Sequence, residues 1–414
     1  MRGCALNRYL PDSRAKPGLA PWDRRLAAAV LVASAAYAVA YAIACFIEES
    51  QGVLYLFGDF FAFWSESRFL SAHDPAQLYD AHALAAYQRE LRGGSAGSGY
   101  PFPYPPPYLL AIWPLRFLPY VPAFAAWMAC SVSVYLFGVL GARWRSYSAL
   151  GLLAAPASLL AFIAGQNGFL TAGLMVGSLR LAPSRPWLAG FLTGCLCYKP
   201  QFAVLLPVAL AAAGLWRAFA AAALTVAALC LLSTACFGFG IWQAWLQSLP
   251  EYSRLLAENL DRLQTMMPTV TASLLVLGVD RAAVQWVQAA VALAALAGVW
   301  LVFRRGSGRL QAAALCAAAF LVTPYAFVYD MLPIAAAIVL CLEHQQTLGK
   351  EFDPVLRLTI LLLWAVPILL MAPPLRRFPL SPALLMLFFM LTARQVFLES
   401  RHGAHAGQRP SGPE

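Results

Sequence analysis

The feature that most constrains this chain is a series of apolar runs, each close to the length of a membrane-crossing helix. The runs recur from residue 26 to residue 398, and a helix needs about 20 apolar residues to cross the hydrocarbon core of a bilayer. Hydrophobic residues make up 61% of the 414 residues, and only 12% are charged. This composition leaves too little polar surface to cover a soluble globule of this size. The sequence therefore predicts an all-α polytopic membrane protein.

The apolar runs predict about 12 transmembrane or half-spanning helices. They form one predicted domain, 26–398, between cytoplasmic tails at 1–25 and 399–414. The first run is expected to be a retained helix, because no cleavage site precedes it. The predicted spans are 26–46, 119–141, 148–164, 166–182, 187–198, 201–214, 216–238, 283–303, 310–325, 331–345, 355–372 and 381–398.

The positive charges set the expected orientation of these spans. With a cytoplasmic N-terminus, most Lys and Arg residues fall on the cytoplasmic side, as the positive-inside rule requires. Arg376 and Arg377 are exceptions, because they fall in an outer loop. The net charge of +10 does not indicate a nucleic-acid partner, since the Arg residues are spread over short loops. The nine cysteines lie at Cys4 and in or beside apolar runs, so they indicate no disulfide framework.

Four polar interruptions fall on the extracytoplasmic side in this topology. They are Asp59, the "AGQNG" break at 164–168, the "YKPQ" break at 198–201 and the "TPYAFVYD" segment at 323–330. Because four separate parts of the chain converge on one membrane surface, we expect their polar side chains to form a site.

Each interruption also has a purely structural interpretation. Asp59 and Asp330 are favoured helix-capping residues at the places where they stand. The Asn-Gly pair at 167–168 suits a tight turn between antiparallel helices. Lys199 can snorkel to the headgroups. Its position before Pro200, between two half-length apolar runs, instead favours a charge that lines a cavity.

The longest polar insertion, 47–118, is expected to be an extracytoplasmic loop. Within it, "LRGGSAGSGYPFPYPPPY" at 91–108 joins a flexible Gly/Ser stretch to a Pro/aromatic stretch that cannot be helical. The next segment, "LLAIWPLRFLPYVP", is short, apolar and bounded by proline, which is typical of a helix at the membrane surface. Trp113, Arg116 and Tyr120 suit the headgroup zone.

The order of these motifs resembles the bacterial glycosyltransferase family 87. The resemblance implies an inverting glycosyltransferase in the bacterial inner (plasma) membrane, with its active site on the extracytoplasmic side. It also implies the GT-C fold class, which includes polyprenol-phosphate-mannose-dependent mannosyltransferases of actinobacterial lipid synthesis. The segments that carry it, between about residues 26 and 345, are "GDFFAFW", "HDPAQLYD", "YPFPYPPPYLLAIWPLRFLP", "GQNGFLTAGLMVGSLRLA", "PWLAGFLTGCLCYKPQFAVLLP" and "TPYAFVYDMLP".

The resemblance implies that the carboxylate after the first span, Asp59, is the catalytic base. Inverting transfer needs one carboxylate to take the proton of the attacking hydroxyl. We expect nearby cations and the water of the loop to keep Asp59 ionised. Lys199 is the candidate ligand of the donor phosphate, with Arg68 and Arg116 as further cations. Additional contacts to the donor and its sugar are expected from Gln166, Asn167, Gln201, Tyr104, Tyr325, Tyr329 and Asp330.

The expected partners are a polyprenyl-phosphate sugar donor, a lipid or glycan acceptor and membrane lipids. No cofactor or metal site is expected, because the sequence has no glycine-rich phosphate loop after a strand and no Asp-x-Asp motif. Two features depart from the family pattern. No His lies near Tyr325, where some relatives carry one, and nothing after residue 345 matches.

A secondary transporter of an anionic or lipid-linked substrate is the alternative from another class. Transporters also have broken helices, and Lys199 would suit an anionic substrate. Against this interpretation, the two halves of the sequence show no repeat, and the breaks lie toward one face. A purely structural subunit of an envelope complex is a third possibility.

Overall fold

A computed structural model gives the fold of the chain. It describes residues 32, 36, 58–94, 99–141, 146–306, 308–348, 353–371 and 379–406. All regular structure in these ranges is helical, which confirms the all-α prediction. The tail at 1–25, nearly all of the predicted span 26–46, Arg376, Arg377 and residues 407–414 lie outside the described residues.

We label the α-helices in chain order. The stretch before the first described membrane span holds α1 (Gly58–Ala72), α2 (Ala81–Leu91) and α3 (Pro107–Ile112). The others are α4 (Tyr120–Leu140), α5 (Ser146–Ala154), α6 (Pro156–Ala164), α7 (Gly168–Leu181), α8 (Pro186–Cys195), α9 (Pro200–Ala203), α10 (Leu205–Ala212), α11 (Trp216–Phe237), α12 (Gly240–Glu258), α13 (Leu260–Leu263), α14 (Val270–Val276), α15 (Arg281–Phe303), α16 (Arg309–Val322), α17 (Leu332–Leu348), α18 (Pro354–Met371) and α19 (Ser381–Ala406). Short 3₁₀ turns lie at Pro75–Tyr79, Trp113–Phe117, Leu196–Tyr198, Gln264–Met266 and Val328–Asp330.

Within the described ranges, five helices are long and apolar enough to cross a membrane: α4, α11, α15, α18 and α19. Helices satisfy their own backbone hydrogen bonds, so apolar helices of this length are suited to the bilayer core. Shorter apolar helices, α7 and α16 among them, occupy other predicted spans. The chain is therefore a multi-pass membrane protein, and the total of about 12 spans stays a prediction.

The predicted span 148–164 is wrong as a single helix. The structure has two helices, α5 and α6, with Ala155 in an extended conformation between them. Pro156 begins α6, and a proline cannot continue the hydrogen-bond ladder of the helix before it. The break lets α6 contact the turn at Val328–Asp330.

Helices α16 and α17 form an antiparallel hairpin, which is the central element for the site. Residues 310–321 of α16 are all buried, so this helix lies inside the bundle. The segment 323–331 connects the two helices, and it contains the "TPYAFVYD" motif. We call this end of the hairpin the turn end, and the end with Arg309 and Glu343 the open end.

The proline-rich stretch and α3 pack against α1. Tyr108, Leu109 and Ile112 are buried in the main core, while Phe117 in the following 3₁₀ turn is 73% exposed. The predicted surface helix is thus a short helix plus a 3₁₀ turn, with one face against the protein. Its place at the membrane surface stays a prediction.

Candidate functional site

The four predicted interruptions meet at the turn end of the hairpin. We use the name polar cluster for Asp59, Gln166, Asn167, Lys199 and Asp330. Hydrogen bonds join Asp59 to Gln166 and Lys199 to Asp330, and the two carboxylates interact electrostatically. The cluster therefore brings together residues that lie up to 271 positions apart in the sequence.

Asp59 lies in the first turn of α1, and its carboxylate contacts another part of the chain. Its Oδ2 accepts a hydrogen bond from Gln166 Nε2 at 3.0 Å. The other amide atom, Gln166 Oε1, accepts from the backbone N–H of Asn167 at 3.4 Å. This second contact turns the NH₂ group of Gln166 toward Asp59. The described contacts of Asp59 are thus those of an oriented side chain and not those of an N-cap.

The electrostatic environment of Asp59 differs from the expected one. Burial raises the pKa of Asp59, the Gln166 hydrogen bond lowers it, and the Asp330 carboxylate raises it. Cations were expected beside Asp59. Among the described residues, its hydrogen-bond partner is instead the amide of Gln166. A carboxylate with a raised pKa is a stronger base than an exposed aspartate.

Two glycines fix the "AGQNG" loop against its neighbours. Gly165 has φ 71°, the left-handed region that favours glycine, and a Cβ atom there would collide with Phe60 beside Asp59. A Cβ atom on Gly168 would collide with the carbonyl oxygen of Tyr329. The loop is therefore held between α1 and the turn end of the hairpin, with Gln166 between its two contact points.

Asn167 links this loop to the aromatic residues of the proline-rich stretch. Its Nδ2 donates to the hydroxyls of Tyr104 and Tyr108, each at 3.0 Å. Asn167 Oδ1 is buried without a hydrogen-bond partner among the described residues. The Tyr108 ring stacks on Tyr198, whose hydroxyl lies 2.7 Å from Thr171 Oγ1. Tyr108 and Tyr198 lie within the quoted motifs but are not among the predicted site residues.

Lys199 and Asp330 form a buried ion pair. Lys199 Nζ lies 2.6 Å from Asp330 Oδ1, and the two side chains are 5% and 7% exposed. Asp330 Oδ2 also accepts the backbone N–H of Phe327 at 3.1 Å, so Asp330 caps the turn at Val328–Asp330 as well. Lys199 therefore does not snorkel. Its charge is compensated inside the protein.

Tyrosines lie around the carboxylates, and Tyr252 is one that was not selected from the sequence. Burial raises the pKa of Tyr329, and the carboxylates of Asp59 and then Asp330 raise it further, so this phenol lies near both. The hydroxyl of Tyr325 lies 3.1 Å from that of Tyr252 in α12. Tyr252 belongs to the stretch 239–282, which lies between two of the predicted spans.

The amphipathic pattern of α12 is the signal that could have identified it. The helix also contacts the proline-rich stretch, where Trp245 Nε1 donates to the carbonyl of Pro103 at 3.3 Å. Helix α12 thus connects two segments that border the polar cluster.

Three predicted residues are not joined to the polar cluster by the described contacts. The guanidinium of Arg68 lies over the Trp64 ring at 4.5 Å, and that of Arg116 lies over the Trp113 ring at 4.2 Å. These cation–π contacts engage both arginines with their helix neighbours. Gln201 is half-buried, and no described side-chain hydrogen bond links it to the cluster.

Glu66 is a second buried carboxyl group on α1, two helical turns after Asp59. It is 1% exposed, burial raises its pKa well above the ordinary value, and Oε2 has no hydrogen-bond partner in the described part of the chain. Glu66 is not among the residues predicted from the sequence. A carboxylate within the aromatic run "FFAFWSESRFL" was the available signal.

Among the described residues, no group of three or more His, Cys, Asp or Glu side chains is placed to hold a metal ion.

These observations define a class of protein: a multi-pass membrane protein with a buried carboxylate, an ion pair and tyrosines gathered where its helices are interrupted. Residues 102–324 match the model of glycosyltransferase family 87. The match covers more than half of the chain, so the chain belongs to this family and is a membrane glycosyltransferase. The matched region includes Lys199, while Asp59 and Asp330 lie outside it. No curated protein and no solved structure matches the chain.

Proposed function

We propose that this glycosyltransferase transfers a sugar, mannose in the first instance, with inversion from a polyprenyl-phosphate donor. The acceptor is a lipid or glycan at the extracytoplasmic face of the bacterial inner membrane. This proposal gives the chain a GT-C-type mechanism, in which the donor arrives from the lipid phase and the acceptor from the aqueous side.

The observation that carries the proposal is the juxtaposition of Asp59 with the Lys199–Asp330 pair. Glycosyl transfer from a phosphate needs a base for the acceptor and a cation for the leaving group. Asp59 is oriented by Gln166 and has a raised pKa, and Lys199 is the one cation joined to the polar cluster by described contacts. The cluster thus supplies both groups in one place.

In the proposed step, the acceptor hydroxyl attacks C1 of the donor sugar from the face opposite the phosphate. Its proton goes to Asp59, and the bond between C1 and the phosphate oxygen breaks. The electron pair of that bond stays on the phosphate, whose charge the Lys199 ammonium offsets. One carboxylate suffices, because a phosphate leaves as an anion without a proton.

An apolar crevice beside the polar cluster supports a lipid donor. It begins at Met331, next to Asp330, and continues along α17 at Ile334 and Ile338, with Leu363 and Trp364 of α18 opposite. The chain of a polyprenyl lipid is apolar, so contact of its isoprene units with such a lining is favourable. We propose that this apolar lining contacts the part of the donor chain nearest the phosphate.

Incubation of the purified protein with labelled polyprenyl-phosphate mannose, glucose and arabinose in turn tests the activity. We expect release of polyprenyl phosphate and transfer to a membrane lipid extract, with mannose preferred. Release from none of the three donors contradicts the donor class. Uptake of the intact lipid into vesicles without release of its sugar would support the transporter alternative, which no observation on the described residues favours.

Protease digestion of inverted vesicles tests the orientation. Arg92, at the start of "RGGSAGSG", should resist trypsin added from the cytoplasmic side and should be cleaved from the opposite side. Cleavage from the cytoplasmic side reverses the proposed topology.

A further inference from the structure

The ion pair at the turn end holds Lys199 in contact with an anion of the protein itself. Asp330 receives Lys199 Nζ on Oδ1 at 2.6 Å and the Phe327 N–H on Oδ2 at 3.1 Å. The carboxylate is therefore fixed from two sides and buried. A phosphate that approaches Lys199 meets a carboxylate that is already in place.

We propose that Asp330 controls the release of the lipid phosphate product, because its carboxylate competes with that phosphate for Lys199. This inference rests on the proposed function, since it takes Lys199 as the cation that contacts the phosphate. It assigns Asp330 a role after the transfer step, in place of the donor-binding role predicted from the sequence.

The chemistry of the reaction gives the reason for such a residue. In the donor, the phosphate is a diester with one negative charge. When the bond between C1 and the phosphate oxygen breaks and the acceptor proton goes to Asp59, the phosphate becomes a monoester. A phosphate monoester carries a charge of about −1.5 to −2 at pH 7. A lone buried lysine would therefore hold the product more tightly than the donor, and turnover would stall.

A fixed carboxylate beside the lysine reverses this preference. The repulsion from Asp330 grows with the charge on the phosphate, so it weakens binding of the monoester more than binding of the diester. Close charge pairs in protein interfaces are coupled strongly enough to change affinity on the order of tenfold or more. Once Asp59 has lost the acceptor proton to water, it adds a second negative charge that acts in the same direction.

The test uses two lipids without a sugar, a polyprenyl phosphate and its methyl diester. They have the same lipid chain and differ in the charge on the phosphate, so a difference in affinity reports the effect of charge. Their affinities for the full-length protein in detergent are measured by the concentration dependence of the thermal unfolding midpoint. The wild-type protein should bind the monoester no more tightly than the diester. Asp330→Asn removes the charge and keeps an acceptor for the Phe327 N–H, so it should bind the monoester about tenfold more tightly.

The Arg309–Glu343 pair at the open end provides the matched control. Glu343→Gln also removes the anion of an ion pair in this hairpin, but it lies at the opposite end. It should change neither affinity. A gain that also occurs in Glu343→Gln would show that general loosening of the bundle, and not competition at Lys199, is the cause.

The outcomes separate this inference from the proposed function. A wild-type protein that binds the monoester tenfold more tightly than the diester overturns the role of Asp330, and so does an Asp330→Asn variant with no gain. If Asp330→Asn does not fold, the wild-type ratio decides alone. If the wild-type protein binds neither lipid, the proposed donor class is wrong, and this inference is then wrong as well.

Discussion

The two ends of the α16–α17 hairpin each carry an ion pair, but only the pair at the turn end is buried on both sides. At the turn end, Lys199 contacts Asp330 at 2.6 Å. At the open end, Arg309 Nε lies 3.9 Å from Glu343 Oε2, and Glu343 Oε1 accepts a hydrogen bond from Ser148 at 2.8 Å. The open end thus ties together α5, α16 and α17 with a few polar groups.

The turn end contains more polar groups than the neutralisation of one lysine requires. Asp59 adds a second carboxylate, Gln166 orients it, and the phenol of Tyr329 lies near both acids. Burial of polar groups is costly, and like charges placed near one another add to that cost. Two buried acids near each other are more than helix packing requires, so the turn end is the better candidate for chemistry.

The largest expected difference between the two ends concerns stability. Lys199→Ala leaves Asp330 buried without its cation, which should cost about 3–5 kcal/mol of unfolding free energy. Arg309→Ala should cost less, because the Glu343 carboxylate that it leaves behind is 21% exposed and keeps its hydrogen bond from Ser148. Thermal and chemical unfolding in detergent measure both. Equal losses of unfolding free energy in the two variants would contradict the difference between the environments of the two ion pairs.

A double variant separates folding from binding at Lys199. Lys199→Met with Asp330→Asn removes both charges, so most of the lost stability should return. Binding of polyprenyl phosphate should stay at least tenfold weaker than in the wild type, because the cation is missing. Wild-type affinity in the double variant would exclude Lys199 as the phosphate ligand.

The next prediction concerns turnover. Asp59→Asn keeps the size of the side chain and an acceptor for Gln166, but it removes the base, so activity should fall on the order of a hundredfold or more. Glu66→Gln is the matched control on the same helix. It also neutralises a buried carboxyl group, and it should leave activity within about twofold of the wild type, since Glu66 has no place in the proposed step.

Unfolding midpoints complete this comparison. Asp59→Asn should retain the wild-type midpoint, while Asp59→Leu should lower it, because the leucine leaves Gln166 Nε2 without an acceptor. A fully active Asp59→Asn protein would show that this residue does not act as the base.

A smaller effect is expected on the pH dependence. Activity is lost as the pH falls through the pKa of the base, and burial places the pKa of Asp59 above its ordinary value. Gln166 lowers that pKa, so Gln166→Ala should move the acidic limb of the rate profile upward by about one pH unit. Gln345→Ala removes a comparable amide contact at the open end, to Gln395. It should not move the limb, and an unshifted Gln166→Ala profile would separate Gln166 from the base.

The membrane helices were the most predictable part of the fold. The predicted span 119–141 corresponds to α4 at Tyr120–Leu140, and 283–303 corresponds to α15 at Arg281–Phe303. Long apolar runs specify such helices because their backbone must be satisfied within the segment. Helices α1 and α12 were harder to predict, because they lie outside the apolar runs and depend on packing against other parts of the chain.

The sequence predicted that the segments of the polar cluster come together, but it did not predict the individual contacts between their side chains. The alternation of spans placed Asp59, 164–168, 198–201 and 323–330 on one side, and the structure brings these segments together. The pairing of Lys199 with Asp330 joins residues 131 positions apart. No local pattern specifies such a contact, since it depends on how the broken helices pack. For the same reason the burial of Glu66 and the approach of Tyr252 were missed.

The smallest expected effect concerns the link between α12 and the turn end. Tyr325 and Tyr252 share one hydrogen bond, with their hydroxyl oxygens 3.1 Å apart. If this bond only ties α12 to the hairpin, Tyr325→Phe and Tyr252→Phe should each cost about 1 kcal/mol of stability. The double variant should then cost no more than either single one, because both remove the same interaction.

The sugar-binding role predicted for Tyr325 requires a different pattern. A hydroxyl that also contacts the donor sugar should raise the KM for the donor in Tyr325→Phe by several-fold, with kcat little changed, since such a contact acts in ground and transition state alike. Tyr252→Phe should leave that KM unaltered, which makes it the matched control for loss of the shared bond. Equal KM values in the two variants would assign Tyr325 to the anchoring of α12 alone. The comparison would then limit the chemistry of the turn end to Asp59, Gln166 and the Lys199–Asp330 pair.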